Sequence, residues 1–269
     1  MRPSEWVVLA YFAYLLVSAA VLRVAARALL RVVGIALVVA ALIAVLARFE
    51  PSMVAVVLRD WFPGGYLLAG YWATGLIYRG PDGAFQARLL SIDDLLHARL
   101  HPLLERVPRG VSELFEFAYL LCYPLVPAGL AVLYASGHRL RADAYWQLVL
   151  VATFCAYGAL PWLGTRPPRA LGSPHWLARR PLLMQRVNLA VLGHASIQVN
   201  TFPSGHAASA WSVALFLTTI PGASWIVFTV LAAGIAAGAV AGRYHYAVDV
   251  AAGIAIAVIA FVFLVGLAP

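Results

Sequence analysis

No lysine occurs anywhere in this chain of 269 residues, so all 19 of its basic side chains are arginines. Acids are scarcer, 11 in all, which leaves a formal net charge of +8. Charged residues make up only 11% of the chain, against about a quarter in a soluble domain. That shortage excludes an ordinary water-soluble globule, and no polar stretch is long enough to form a separate soluble domain. Cysteine is nearly missing too. Cys122 and Cys155 lie within apolar segments, where a small buried hydrophobe is the default role, so they say little about redox compartment. Internal repeats and low-complexity tracts are absent.

What the chain has in quantity is apolar surface: 63% hydrophobic residues and a mean hydropathy of +0.87. These residues fall in separated runs of roughly 18 or more, enough to cross about 30 Å of hydrocarbon. The expected fold is all-α, a polytopic transmembrane bundle of about six to seven spans with one interfacial amphipathic helix. Spans are predicted over residues 5–22, 32–47, 112–135, 144–161, 204–220, 223–242 and 246–267. The run 61–78, rich in glycine and holding Pro63, either spans or re-enters. No signal-peptide cleavage pattern follows Met1-Arg2-Pro3, so the first span is expected to be retained. Arg23, Arg27 and Arg31, spaced by four, are expected on one interfacial helix face.

Residues 84–104 carry Phe85, Leu89, Ile92, Leu96 and Leu103 at helical spacing, with Arg88, Asp93, Asp94 and Arg99 on other faces. This is the interfacial helix. His97 and His101 could share a metal by their spacing, but no third ligand accompanies them, so a headgroup-facing pair is expected. No metal and no cofactor are implied. Two parts follow: residues 1–110, with the N-terminal spans and interfacial helix, and residues 111–269, the catalytic bundle. Glu113 and Glu116 open the span 112–135, either as helix-start acids in the headgroup zone or as functional intramembrane acids. After Trp162 comes a polar connection of about forty residues, bearing His175, His194 and the interfacial arginines Arg179, Arg180 and Arg186.

The stretch from Thr201 to Asp249 carries the chemistry. It begins Thr201-Phe202-Pro203-Ser204-Gly205-His206 and ends Arg243-Tyr244-His245-Tyr246-Ala247-Val248-Asp249, with two apolar runs between. A hairpin of spans brings both ends to one membrane face. His245 and Asp249, four apart on a helix, share a side, so the carboxylate can fix the imidazole tautomer. The other ring nitrogen is then free to attack phosphorus, and His206 can protonate the leaving oxygen. Phosphoryl transfer needs positioned donors for the equatorial oxygens. Arg243, Arg169 and Arg166 offer guanidinium forks, and Ser204 with Gly205 stands at a helix N-terminus suited to anions.

The Pro203-Ser204-Gly205-His206 block, with His245-x3-Asp249 about forty residues on, resembles the type 2 phosphatidic acid phosphatase superfamily. Its signature blocks are Lys-x6-Arg-Pro, Pro-Ser-Gly-His and Ser-Arg-x5-His-x3-Asp. The resemblance implies His245 as nucleophile, Asp249 as its orienter, His206 as acid, basic residues on phosphate and a metal-independent reaction. Two blocks are degenerate: Ala159 stands at the first-block lysine, and Gly238-Ala239 replaces the third-block Ser-Arg. That degeneracy, with the Tyr-His-Tyr-Ala-Val-Asp-Val ending, is similar to the branch of inositol phosphorylceramide and sphingomyelin synthases, which pass a headgroup to an alcohol.

The expected function is a membrane lipid-phosphate phosphatase working through a phosphohistidine. A lipid phosphotransferase is the alternative, and a transporter the non-enzyme rival. Its partners are a phosphorylated lipid and membrane lipids, not nucleic acid, because the arginines sit in short loops against headgroups. The expected place is the cell membrane, multi-pass. The arginines outside the catalytic loops are too evenly split to fix which face carries the site, and the sequence is silent on oligomeric state.

Overall fold

The computed structural model describes residues 1–49, 52–104, 106–172, 182–199 and 202–266, without the side chains of His101, Leu103 and Leu104. Thr201, His175, Arg179 and Arg180 lie outside the described residues. Within them the chain is an all-α bundle of 11 helices with no strand.

The N-terminal helices are α1 (Pro3–Val21), α2 (Ala26–Arg48), α3 (Met53–Leu76) and α4 (Gly83–Leu104). Next come α5 (Arg109–Leu120), α6 (Cys122–Ala135) and α7 (Ala142–Gly158). The last four are α8 (Leu183–Ala195), α9 (Gly205–Leu217), α10 (Ser224–Ala241) and α11 (Ala247–Phe261). Four helices are long and apolar enough to cross a membrane, α1, α2, α10 and the run from α11 to Gly266, or five if the bent α5–α6 pair is one span. The other expected spans are shorter: α7 has 17 residues and α9 only 13.

α9 is the axis of the bundle, packed by α7, α10 and α11. Its short side chains allow this, and its hydroxyls turn inward onto their own helix: Ser212 Oγ donates to the Ala208 carbonyl at 2.7 Å. Two glycines mark close approaches to a neighbouring segment's backbone. A Cβ at Gly253 of α11 would lie 2.4 Å from the Ser204 carbonyl oxygen, and one at Gly238 of α10 would lie 2.3 Å from that of Phe115. Any side chain there would push α11 off the start of α9, or α10 off α5.

At the opposite end of the bundle, an ion network ties α1 to α3. Arg59 grips Glu5 with two bonds of 2.8 Å, and Arg2 meets Asp60 at 2.5 Å. Asp60 also accepts from the Tyr134 hydroxyl at 2.7 Å. With Arg59 and Asp60 both buried, this pairing is what lets two charges sit inside a helix end.

Several expectations need correction. Arg23 does not share a helix face with Arg27 and Arg31, because the chain breaks between α1 and α2 with Arg23 at φ +50°. Residues 61–76 of the run 61–78 continue a single 24-residue helix with Pro63 inside it, not a re-entrant break, and that helix is not among those long and apolar enough to cross a membrane. The run 112–135 is two helices bent by 60°, where Pro124 and Pro127 remove main-chain donors from the ladder. The long connection contains α8, whose first N–H groups, those of Leu183 and Met184, donate to Glu113 at 2.8 and 2.9 Å. Finally, α4 does not show all its polar residues to the headgroups. Asp93 and His97 are buried, with His97 Nε2 3.6 Å from Asp93 Oδ2.

Candidate active site

The site begins with the reversal between α10 and α11. Arg243 adopts φ +54° just past the end of α10, the left-handed turn that commonly ends a helix. The N–H groups of Tyr244 and His245 both donate back to the Ala239 carbonyl, at 2.9 and 3.1 Å. His245 is thereby held just before the first turn of α11.

Asp249, in that first turn, has two uses for one oxygen. Its Oδ2 accepts the Tyr246 N–H at 3.1 Å and lies 3.4 Å from His245 Nδ1. The second distance is long for a hydrogen bond. A carboxylate beside Nδ1 assigns the proton to that nitrogen, leaving the Nε2 lone pair available. The Asp249 carbonyl accepts from the Ser204 N–H at 2.9 Å, pinning the start of α9 to α11. Ser204 then caps α9, its Oγ accepting from Ala207 N at 3.3 Å.

This places His206 against His245. Their ring centroids are 5.7 Å apart and their planes meet at 81°. Both rings line a cavity of about 30 Å³ together with Arg169, Tyr244, Tyr119 and Tyr157. Space of that size exceeds the ~10–15 Å³ that one water needs, so a small polar group can enter. His206, Tyr71, Tyr157 and Ser196 also line a second cavity of about 470 Å³, mostly apolar, which runs along α3 as far as Trp61. Polar and apolar spaces thus meet at His206.

A family model described as the PAP2 superfamily matches residues 87–263. The chain belongs to the PAP2 superfamily. Membership makes it a membrane protein whose activity is of the phosphoric ester hydrolase or transferase type. No curated protein and no solved structure matches the chain.

The matched PAP2 region takes in all the residues singled out for phosphate, and the fold separates them. Arg169 alone of the three arginines lines the cavity of the histidines, its guanidinium carbon 5.0 Å over the Tyr244 ring. Arg243 turns the other way, with Nη2 3.7 Å from Asp93 and 3.5 Å from Asp94. Arg166 is exposed, its N–H donating to Gln86 Oε1 at 2.9 Å and its carbonyl accepting from Tyr246 Oη at 3.0 Å. Gly205 has a packing reason of its own, since a Cβ there would fall 2.2 Å from the Tyr157 ring.

Three residues escaped the sequence reading. Asp93 accepts from the Ala247 N–H at 3.2 Å as well as meeting Arg243, so α4 docks on the start of α11. Burial pushes the Asp93 carboxyl above the usual carboxylate range and holds His97 below the usual imidazole range. Tyr244 and Asn188 both bond Glu116. The spacing of Asp93 and His97, an acid one helical turn from a histidine, was the available signal for Asp93. Nothing in the sequence pointed to Tyr244 or Asn188.

Proposed function

We propose that this PAP2 protein hydrolyses a lipid phosphate through a phosphohistidine on His245. The observation that carries the reading is the set His206, His245 and Arg169 around one small cavity, with Asp249 behind His245. In the first step the His245 Nε2 lone pair forms a bond to phosphorus while the bond to the lipid oxygen breaks. His206 supplies the proton to that departing oxygen, and Asp249 balances the charge left on the imidazole. In the second step water attacks phosphorus, His206 takes its proton, the P–N bond breaks and inorganic phosphate leaves. Arg169 holds the equatorial oxygens throughout, helped by the positive end of α9 at Ser204 and Gly205. Arg243 and Arg166 lie outside that cavity and serve at most as outer cations.

The apolar cavity supports a lipid substrate. It follows α3 from Tyr71 and Trp72 down to Trp61, roughly 16 Å of helix at about 1.5 Å per residue. That is about half the ~30 Å hydrocarbon core, the depth reached by one hydrocarbon chain whose phosphate lies at His206. Its volume of about 470 Å³ is within the ~300–1,000 Å³ usual for small-ligand sites. The membrane in question is the cell membrane.

A second reading has its own support. His245 is only 5% exposed and the cavity wall is largely aromatic, conditions that slow the entry of water. Together with the degenerate first and third blocks, this favours transfer of the phosphoryl headgroup to an acceptor alcohol, as in the inositol phosphorylceramide and sphingomyelin synthase branch. Purified protein incubated with labelled lipid phosphate separates the two. Free phosphate supports hydrolysis, a new lipid formed only with added alcohol supports transfer, and neither product removes both.

A further inference from the structure

Glu116 is a buried carboxylate, 3% exposed, that the scheme above leaves without a role. Its Oε2 accepts from the Tyr244 hydroxyl at 2.6 Å and from Asn188 Nδ2 at 2.8 Å, and the same amide donates to the Glu116 carbonyl at 2.8 Å. Among the described residues no cation lies within ion-pairing distance of it. A buried charge satisfied only by neutral donors costs more than the isosteric amide would, so a purely structural use would be served as well by glutamine.

The chain of contacts leads from this charge to the site. Tyr119 stacks on Tyr244 with centroids 4.1 Å apart and planes 2° from parallel. That covers one face of the Tyr244 ring and leaves the other to the Arg169 guanidinium, 5.0 Å from the centroid. A phenol that donates its proton to a carboxylate carries more electron density in its ring, and a cation over the ring is held more strongly. Tyr119 also meets His206 edge-on at 5.7 Å, so the stack is wedged between the arginine and the acid. The close approach of α10 to α5 at Gly238 is what brings Tyr244 within reach of Glu116.

We infer that Glu116 is a positioning residue: acting through Tyr244, it fixes Arg169 where the substrate phosphate binds, and so sets phosphate affinity. The inference rests on the phosphoryl-transfer reading for its purpose, but its test does not need turnover. It extends to any phosphate seated at Arg169, whether on a lipid or free.

The test is a cycle of Glu116→Gln, Tyr244→Phe and Arg169→Ala in the full chain, using inorganic phosphate as probe. Glu116→Gln is expected to weaken phosphate binding about tenfold and to raise KM for lipid phosphate equally, with kcat unchanged. Tyr244→Phe, which keeps the stack, should show the same split and reports in place of Glu116→Gln if that variant fails to fold. In the Arg169→Ala background neither change should add anything, because they act through one guanidinium. Unchanged phosphate affinity in both variants overturns the inference, and so does an equal effect with and without Arg169. Phosphate binding that follows this pattern in a protein without turnover would leave the inference standing and sink the proposed function.

Discussion

Arg169 and Arg243 are joined by a main-chain hydrogen bond, N–H of the first to carbonyl of the second at 3.0 Å, yet their side chains face opposite ways. Arg169 turns over Tyr244 into the histidine cavity, and Arg243 turns to Asp93 and Asp94 on α4. The two arginines therefore predict different losses. Arg169→Ala should raise KM for lipid phosphate about 10- to 100-fold, the loss expected for a hydrogen bond to a charged group. Arg243→Ala should raise it far less. Steady-state kinetics on both variants checks the order, and the reverse order would move the clamp to Arg243.

Asp249 bonds both the Tyr246 N–H and the His245 side. Asp249→Asn keeps the shape but offers Nδ1 a different partner and permits the wrong tautomer. The expected loss is about 10²- to 10⁴-fold in kcat, with KM little changed. Equal losses in binding and rate would mean that the residue acts on the fold of the α9–α11 junction instead.

Gly65 lines the apolar cavity on α3, and a Cβ there meets nothing within 4 Å. Gly65→Leu should therefore fold and even gain helix propensity, while its side chain takes space from a bound chain. Displacing about two methylenes, at about 0.8 kcal/mol each, predicts roughly tenfold higher KM for a long-chain lipid phosphate. A short soluble phosphate ester should be unaffected. If both substrates change alike, the cavity is not where the chain lies.

Asp93→Ala should loosen α4. It strands the Ala247 N–H and removes a partner of Arg243, a loss of about 1–3 kcal/mol. Unfolding in graded detergent denaturant measures it, and faster proteolytic cleavage within α4 locates it.

Much of this protein was legible in advance because a membrane forces a simple code. Apolar runs had to be helices, but the helical step expected to pair His245 with Asp249 is not what joins them: His245 lies two residues before α11 and meets Asp249 through the turn that starts that helix. The hairpin between His206 and His245 then followed from two apolar helices and a turn, although the first, α9, is shorter than a span. What stayed hidden depends on contacts between distant segments. Asp93 reads as a solvated acid on an amphipathic helix until α11 presents its Ala247 N–H. Glu113 and Glu116 look alike in sequence; one caps α8 and the other is buried against Tyr244 and Asn188. The break at Arg23 rests on a left-handed backbone that hydropathy does not record. The direction of Arg243 could not be read either, since an arginine at a helix end looks the same whether it meets phosphate or an acid.

The most direct measurement is the covalent intermediate. Protein mixed briefly with lipid labelled at phosphorus, then quenched in alkali and digested, should carry label on the peptide containing His245. The bond should survive alkali and be lost in acid, and His245→Ala should carry none and turn nothing over. Label on another residue, or wild-type turnover by the His245→Ala protein, would contradict the account.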